Sequence, residues 1–435
     1  MYEGCRAYLL AERLLPIYRS ISGDGVRTTL RIIRDHIGND NFNIIEIPSH
    51  TKCFDWTVPQ EWKINDAFIE DENRRKIISF SDNFLHVVGY SYPVDKWVDH
   101  KELNKWIITQ ADQPNVIPYV TAYYKKTSAF CMSYNMYRNL SSGKYHLYID
   151  SELYDGSMSI GELIIPGDTK DEVFISTYSC HPAMANDNCS SLGMTAELAR
   201  YICEIKSRRY TYRFVFAPET IGAIAYLSLG NHLEYMKKHV TAGFVFSCVG
   251  DDGDYSIIHS RYNNTLSENV LQNVLMHNVE KNRIKEYSFL ERGSDERQYN
   301  SPGVDLGVVG FCRTKYWEFP EYHTSADNLE VISEEGLQGS FDVMKKVVDA
   351  LEGNRIYKAT YMCEPQLSKR NLYPSISQKG IYDDVKLTTD LLAYADGKQD
   401  LIQISNMIDQ PIDKVIAVAR KLAKEHLLDE VKKRL

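Results

Sequence analysis

Apolar and polar positions follow two different periods along this chain, and the changes of period divide it into segments. Near the start, Leu9, Leu10, Leu14, Leu15 and Ile17 share one face at helical spacing. After the turn Ser22-Gly-Asp-Gly25, Val26, Leu30, Ile33 and Ile37 form a second such face. Asn43-Ile-Ile-Glu-Ile-Pro48 reads as a strand. From about Phe54 to Leu163 the runs become short and alternating: Lys76-Ile-Ile-Ser-Phe80, Leu85-His-Val-Val-Gly89 and Tyr145-His-Leu-Tyr-Ile149, separated by turns such as Ser141-Ser-Gly143. That texture predicts a β-rich insertion. From Val173 to about Glu352, strands alternate with helices, as in α/β proteins. Beyond Leu367, three short helical patterns around Leu387–Ala395, Ile402–Ile408 and Val415–Leu422, with a terminal Leu427-Leu428, predict a winged-helix-like module. The expected organisation is a core of residues 1–53 and 164–360, an insertion of 54–163 and a module of 367–435.

The chemistry gathers at strand ends. The apolar run Val173–Tyr178 leads into Ser-Cys-His-Pro-Ala-Met-Ala-Asn-Asp-Asn, so His181 and Asp187 fall on a loop at the C-terminal edge of a sheet, where open α/β folds place their sites. A helix follows with Leu192, Ala196, Ala199, Ile202 and Ile205 on one face, and Ser190 or Ser191 is the expected N-cap. The strand Tyr212–Ala217 delivers Glu219 in the same way. A third site, Tyr322-His323-Thr324-Ser325-Ala326-Asp327-Asn328, adds a second histidine. Imidazole and carboxylate together suit zinc.

The order of these motifs resembles metallopeptidase family 28, the zinc aminopeptidases. His181 matches that family's first metal-binding His, Asp187-Asn188 its metal-bridging Asp, Glu219 its general base, Ser294-Asp295 its Ser-Asp element, and Tyr322-His323-Thr324 its last His. The sequence departs from the family where a second Glu, an Asp and a His stand: here are Thr220, Ser247 or Cys248, and Glu296. The resemblance therefore implies one zinc rather than two, held by His181, Asp187 and His323, on an α/β zinc-exopeptidase-type core with a mixed sheet flanked by helices. Cys180-His181-Pro182, Pro218-Glu219-Thr220 and Gly293–Arg297 look like signatures of a divergent branch that carries an inserted β-rich domain and a C-terminal winged helix. The implied roles are Glu219 as base and Asp295 as an orienting or ammonium-holding carboxylate. Arg292, Glu296, Arg297 and Tyr322 are expected at the substrate. The implied activity is hydrolysis of an amide bond, by an aminopeptidase on short peptides or a deacylase of a small modified substrate. The alternatives are a single-zinc acyltransferase or glutaminyl-cyclase-like enzyme, and a non-catalytic binding protein on the same scaffold.

Composition narrows the remaining choices. The chain has 435 residues, enough for two or three domains. No run reaches the roughly 18 apolar residues of a membrane span. The N-terminus lacks a secretory pattern, which makes the cytoplasm the expected location. Nine cysteines without a C-x-x-C argue against a disulfide framework; Cys180 and Cys189 are expected as small buried filler. The net charge is −9, and Ile412–Arg420 in the module has two basic residues and no base-reading amide. Nucleic-acid binding is therefore not expected, even with the basic Lys432–Arg434 at the end. A homo-oligomer is compatible with the module. The thirty tyrosines find no account in the sequence.

Overall fold

The computed structural model of the protein describes residues 1–370, 372–373 and 383–431. The basic Lys432–Arg434 segment lies outside the described residues. The chain divides into two compact units, one of residues 1–261 and 285–341, the other of 262–284 and 342–435.

The first unit is organised by an eight-stranded mixed sheet. Its order is Phe42–Pro48, Ser157–Ile165, Thr211–Ala217, Glu172–Tyr178, Val240–Phe246, Val308–Cys312, Tyr255–Ile258, Ile284–Tyr287. The central strands Thr211–Ala217, Glu172–Tyr178, Val240–Phe246 and Val308–Cys312 are parallel neighbours. Glu172–Tyr178 is buried at every position, as a strand covered on both faces must be. The expected end of the insertion at residue 163 falls inside Ser157–Ile165, which is a strand of this large sheet.

Helices Glu3–Leu14, Asp24–Ile37 and Ser191–Glu204 flank the sheet. In the first of them Ala7, Leu10, Ala11 and Leu14 are buried while Leu9, expected on the apolar face, is exposed. The small residues permit close approach. A Cβ on Gly193 would meet the Ala7 carbonyl oxygen at 2.5 Å, so the crossing of helices Glu3–Leu14 and Ser191–Glu204 depends on that glycine. The expected serine cap of Ser191–Glu204 is absent. Ser190 is already helical and its hydroxyl donates to the Asn186 carbonyl, because a wide turn over Ala185–Ser190 leads into the helix.

In the chain between Phe42–Pro48 and Ser157–Ile165, which pair directly in the large sheet, comes a four-stranded antiparallel sheet, ordered Lys76–Ser79, Glu61–Asp71, Lys144–Tyr154, Val94–Asp99. It has its own core, including Ala67, Ile69, Phe130, Leu147 and Ile149. The alternating run Leu85–Gly89 is not a strand: Phe84–His86 is a 3₁₀ turn capped by the Asn83 side chain. A local side-chain cap overrides the β pattern there.

The second unit contains a three-stranded antiparallel sheet, Asp396–Asp400, Ile356–Ala359, Leu428–Glu430, with helices Asp383–Tyr394, Leu401–Met407 and Ile412–Lys424. Leu391, Leu392, Ile404 and Leu428 are buried within it. The helix starting at Ile412 runs to Lys424, past the expected pattern end at Leu422, and so adds Lys421 and Lys424 to the basic residues of Ile412–Arg420. Among the described residues, no helix is long and apolar enough to cross a membrane.

Candidate metal centre

Three parallel strands aim their C-terminal ends at one place in the first unit. Glu172–Tyr178 is followed by His181 and Asp187, Thr211–Ala217 by Glu219, and Val240–Phe246 by Ser247 and Cys248. The backbone turns sharply at each exit. Ala183, Thr220, Cys248 and His323 all have φ between 50 and 64°. Left-handed backbone in non-glycine residues is costly and collects at functional sites.

Among the described residues, His181, Asp187 and His323 are the one cluster whose ligand atoms all lie within 4.8 Å of one another. Asp187 Oδ2 is 3.1 Å from His323 Nε2 and 4.0 Å from His181 Nε2. Ligands about 2.0–2.1 Å from a tetrahedral zinc sit roughly 3.3 Å apart, so the spacing suits that ion. Asp187 Oδ2 and His323 Nε2 are buried without a hydrogen-bond partner. Buried polar atoms are rarely left so unless something else neutralises them. Burial works to raise the Asp187 pKa, yet His181, His323 and the Tyr178 hydroxyl bring it down to about 2. Burial lowers His181 to about 4, which keeps the imidazole neutral, as a ligand must be.

The other Asp187 oxygen is occupied. Tyr178 donates its hydroxyl to Oδ1, so Asp187 turns one oxygen, not two, toward the histidines. The Asp187 loop is held by Asp327, whose carboxylate accepts the Asn186 and Asp187 amides at 2.7 and 2.9 Å. Arg19, 1 % exposed, donates to the His181 carbonyl at 3.0 Å and to Cys189 Sγ at 3.0 Å. Cys180 Sγ lies 3.4 Å from His181 Nδ1 and accepts the Glu219 amide at 3.3 Å. Cys180 and Cys189 are buried, but each is also an acceptor that ties two segments of the site together, which plain filler is not.

Glu219 faces this cluster, its Oε2 3.9 Å from His181 Nε2 and about a quarter of its side chain exposed (24 %). Burial, then Asp295 and Asp187, push its pKa well above the usual carboxylate range. Asp295 accepts the Thr220 amide at 2.7 Å, and burial raises it to about 7. Arg297 donates to the Thr220 hydroxyl. Glu296 is fully buried; its Oε1 accepts the Gly293 and Ser294 amides and the Tyr316 hydroxyl, clamping that turn. Its Oε2, Asp295 Oδ2 and Arg297 Nε have no partner. Arg292, expected beside them, instead lies over the Phe289 ring and donates to the Phe289 carbonyl. Tyr322 stacks on His323 with ring centroids 3.9 Å apart.

Sequence reasoning missed Tyr119. Its ring packs against both His181 and His323, at 5.3 and 5.1 Å. It belongs to a loop of the insertion that pairs with the His323 segment: Tyr119 donates to the His323 carbonyl, Ser325 to that of Ile117, and Pro118 bridges Thr324.

The family described as a domain of unknown function (DUF4910) matches residues 8–354, most of the chain. The chain is a DUF4910 protein. A winged helix-turn-helix family matches residues 355–430 of this DUF4910 protein, so the C-terminal module is a winged helix. The DUF4910 protein is 40% identical over 404 residues to a protein of Clostridium acetobutylicum named for polysaccharide biosynthesis and an aminopeptidase-like domain, with 92% of this chain and 91% of that relative covered. A crystal structure described as a peptidase candidate from the same organism matches the DUF4910 protein with a TM-score of 0.90 at 37% identity, covering 98% of this chain and 96% of that one. A zinc aminopeptidase from Bacillus subtilis matches with a TM-score of 0.59 at 14% identity, covering 80% and 95%. The DUF4910 protein therefore has the zinc-aminopeptidase fold expected from its motifs, followed by a winged helix.

Proposed function

We propose that this protein is a zinc-dependent amide hydrolase with one zinc, held by His181, Asp187 and His323. The observation that carries this reading is Asp187: one oxygen is capped by Tyr178, and the other has no well-directed hydrogen bond and faces two imidazoles, 3.1 Å from His323 Nε2, with Glu219 alongside. When bound, zinc supplies Lewis acidity to a substrate carbonyl and acidifies a water. Glu219, whose Oε2 faces the cluster, would take a proton from the attacking water and deliver it to the leaving nitrogen. Its raised proton affinity suits a group that must hold a proton between those two transfers. Asp295 fixes the Thr220 amide and so positions Glu219. Arg297 balances the charge of the neighbouring carboxylates. The Tyr119 and Tyr322 rings pack against the histidines and orient them.

The substrate class is a short peptide or a small N-acylated molecule. The name of the Clostridium relative, which joins polysaccharide biosynthesis to an aminopeptidase-like domain, supports the second: an amide carried on a sugar.

Amine release by zinc-loaded protein, followed by mass spectrometry over peptides, N-acyl amino acids and N-acylated amino sugars, tests the proposal. Glu219→Gln should keep the metal and lose turnover by about 100-fold or more. A variant that stays active removes Glu219 as base; one that loses metal makes it a ligand. No amide cleavage by the wild type across all three classes would sink the reading.

A further inference from the structure

A second cavity of the first unit is built unlike the apolar core around it. A groove of about 260 Å³ is walled by Tyr90, Tyr92, Tyr123 and Tyr124 and edged by Lys125 and Lys126. Tyr123 links it to the metal centre: its hydroxyl lies 3.2 Å from that of Tyr119, whose ring rests on His181 and His323.

We propose that this groove is a saccharide subsite that takes a pyranose ring bearing a carboxylate. Tyr124, the exposed one of the four, offers a flat apolar ring face to the C–H bonds of a sugar ring at small entropic cost, while the buried Tyr90 packs edge-on against Tyr123 and holds that wall in place. The walls are set in advance. Tyr90 is 1 % exposed, with its hydroxyl bonded to Ser22 Oγ and the Gln60 carbonyl. Tyr124 is 55 % exposed, yet it is braced edge-on by Trp56 at 5.6 Å and donates to the Thr57 carbonyl at 3.0 Å. A preformed wall lowers the cost of binding. The charge at the rim is positive. Lys125 and Lys126 are exposed, and the Lys126 ammonium sits 4.9 Å over the Tyr92 ring. The nearby Asp155 is engaged by His50 and Gln60, at 2.8 and 2.9 Å. An acidic sugar satisfies both the aromatic walls and the lysines; a neutral sugar leaves the lysines unused, and an acidic peptide leaves the rings unused. The inference rests on the amide-hydrolase reading only for its role, which is to present a sugar-borne amide to the metal centre.

The test reads binding without turnover. Full-length protein, zinc-loaded and chelator-stripped, is titrated calorimetrically with trigalacturonate, maltotriose and triglutamate. Trigalacturonate should bind in both metal states, and clearly more tightly than the other two. Tyr124→Ala, at an exposed position, should weaken it about tenfold. The Lys125→Gln/Lys126→Gln pair should weaken it about five- to tenfold and erase the preference over maltotriose. Equal binding of triglutamate or of maltotriose, indifference to Tyr124→Ala or to the lysine pair, or no binding of trigalacturonate would each overturn the proposal. A protein that binds trigalacturonate but cleaves no amide would leave the subsite standing and remove only the hydrolase reading.

Discussion

Asp187 and Asp295 are both fully buried carboxylates at the same sheet edge, and their proton affinities have moved in opposite directions. Burial alone raises both. Around Asp187, two imidazoles and a tyrosine hydroxyl more than offset it, and the group is held at about 2. Around Asp295, the Thr220 amide and Arg297 do not, and Glu296 adds like charge, so it rises to about 7. The difference separates the cleft into two halves. One is arranged to keep an anion and attract a cation. The other is arranged to hold protons beside Glu219, with Arg297 as its resident positive charge. Burial by itself does not tell which a carboxylate will be; its partners do.

Each half can be broken separately. His323→Ala should have the largest effect, removing a ligand and with it several kcal/mol of transition-state stabilisation, roughly a thousandfold in turnover. A parallel fall in bound zinc, read by elemental analysis, must accompany it. Glu219→Gln follows, with its loss of turnover at unchanged metal content. Tyr178→Phe should weaken zinc binding about 10- to 100-fold, the usual size of an outer hydrogen-bond loss, measured by chelator competition. Unchanged affinity there would mean that the Tyr178 bond does not set the Asp187 geometry.

Asp295→Asn should have the smallest effect and the opposite sign on stability. A folded pKa raised from 3.8 to about 7 means that the contribution is fully present below about pH 4 and is lost as pH rises toward 7. The full shift implies about 4 kcal/mol, of which relaxation and water entry leave about 1–2 kcal/mol. The variant should thus gain stability over the wild type between pH 4 and 7, and hold that gain above pH 7, in urea melts of metal-free protein. A stability difference that is flat across pH 4 to 7 would mean that Asp295 stays ionised when buried.

The parts of the site carried by strand ends are legible in the sequence itself. Val173–Tyr178 and Tyr212–Ala217 are mostly apolar runs, broken only by Ser176, Thr177 and Arg213, that lead into His181 and Glu219, and buried parallel strands leave that trace. His323 and Asp187 are legible as paired imidazole and carboxylate loops. Tyr178 is not, because it closes a buried strand and reads as core; only its hydroxyl, meeting Asp187 nine residues on, makes it functional. Tyr119 is hidden for another reason. It sits in an aperiodic loop of the insertion, and its contacts lie about two hundred residues away in sequence, at His323. Arg19 is a charged residue whose burial is set by backbone carbonyls that no local pattern announces. The one sequence signal for Tyr178 and Tyr119 is the surplus of tyrosines, several of which line the cleft and the groove beside it.

Binding of one zinc and not two requires that Asp187 have a single oxygen free for a metal. Elemental analysis of gently purified full-length protein, with zinc added and excess removed, tests this most directly. One equivalent of tightly held zinc per chain, lost in His323→Ala, is the predicted result. Two equivalents in the wild type, both lost in Asp187→Ala, would mean that Asp187 bridges two ions in spite of Tyr178, and would contradict it.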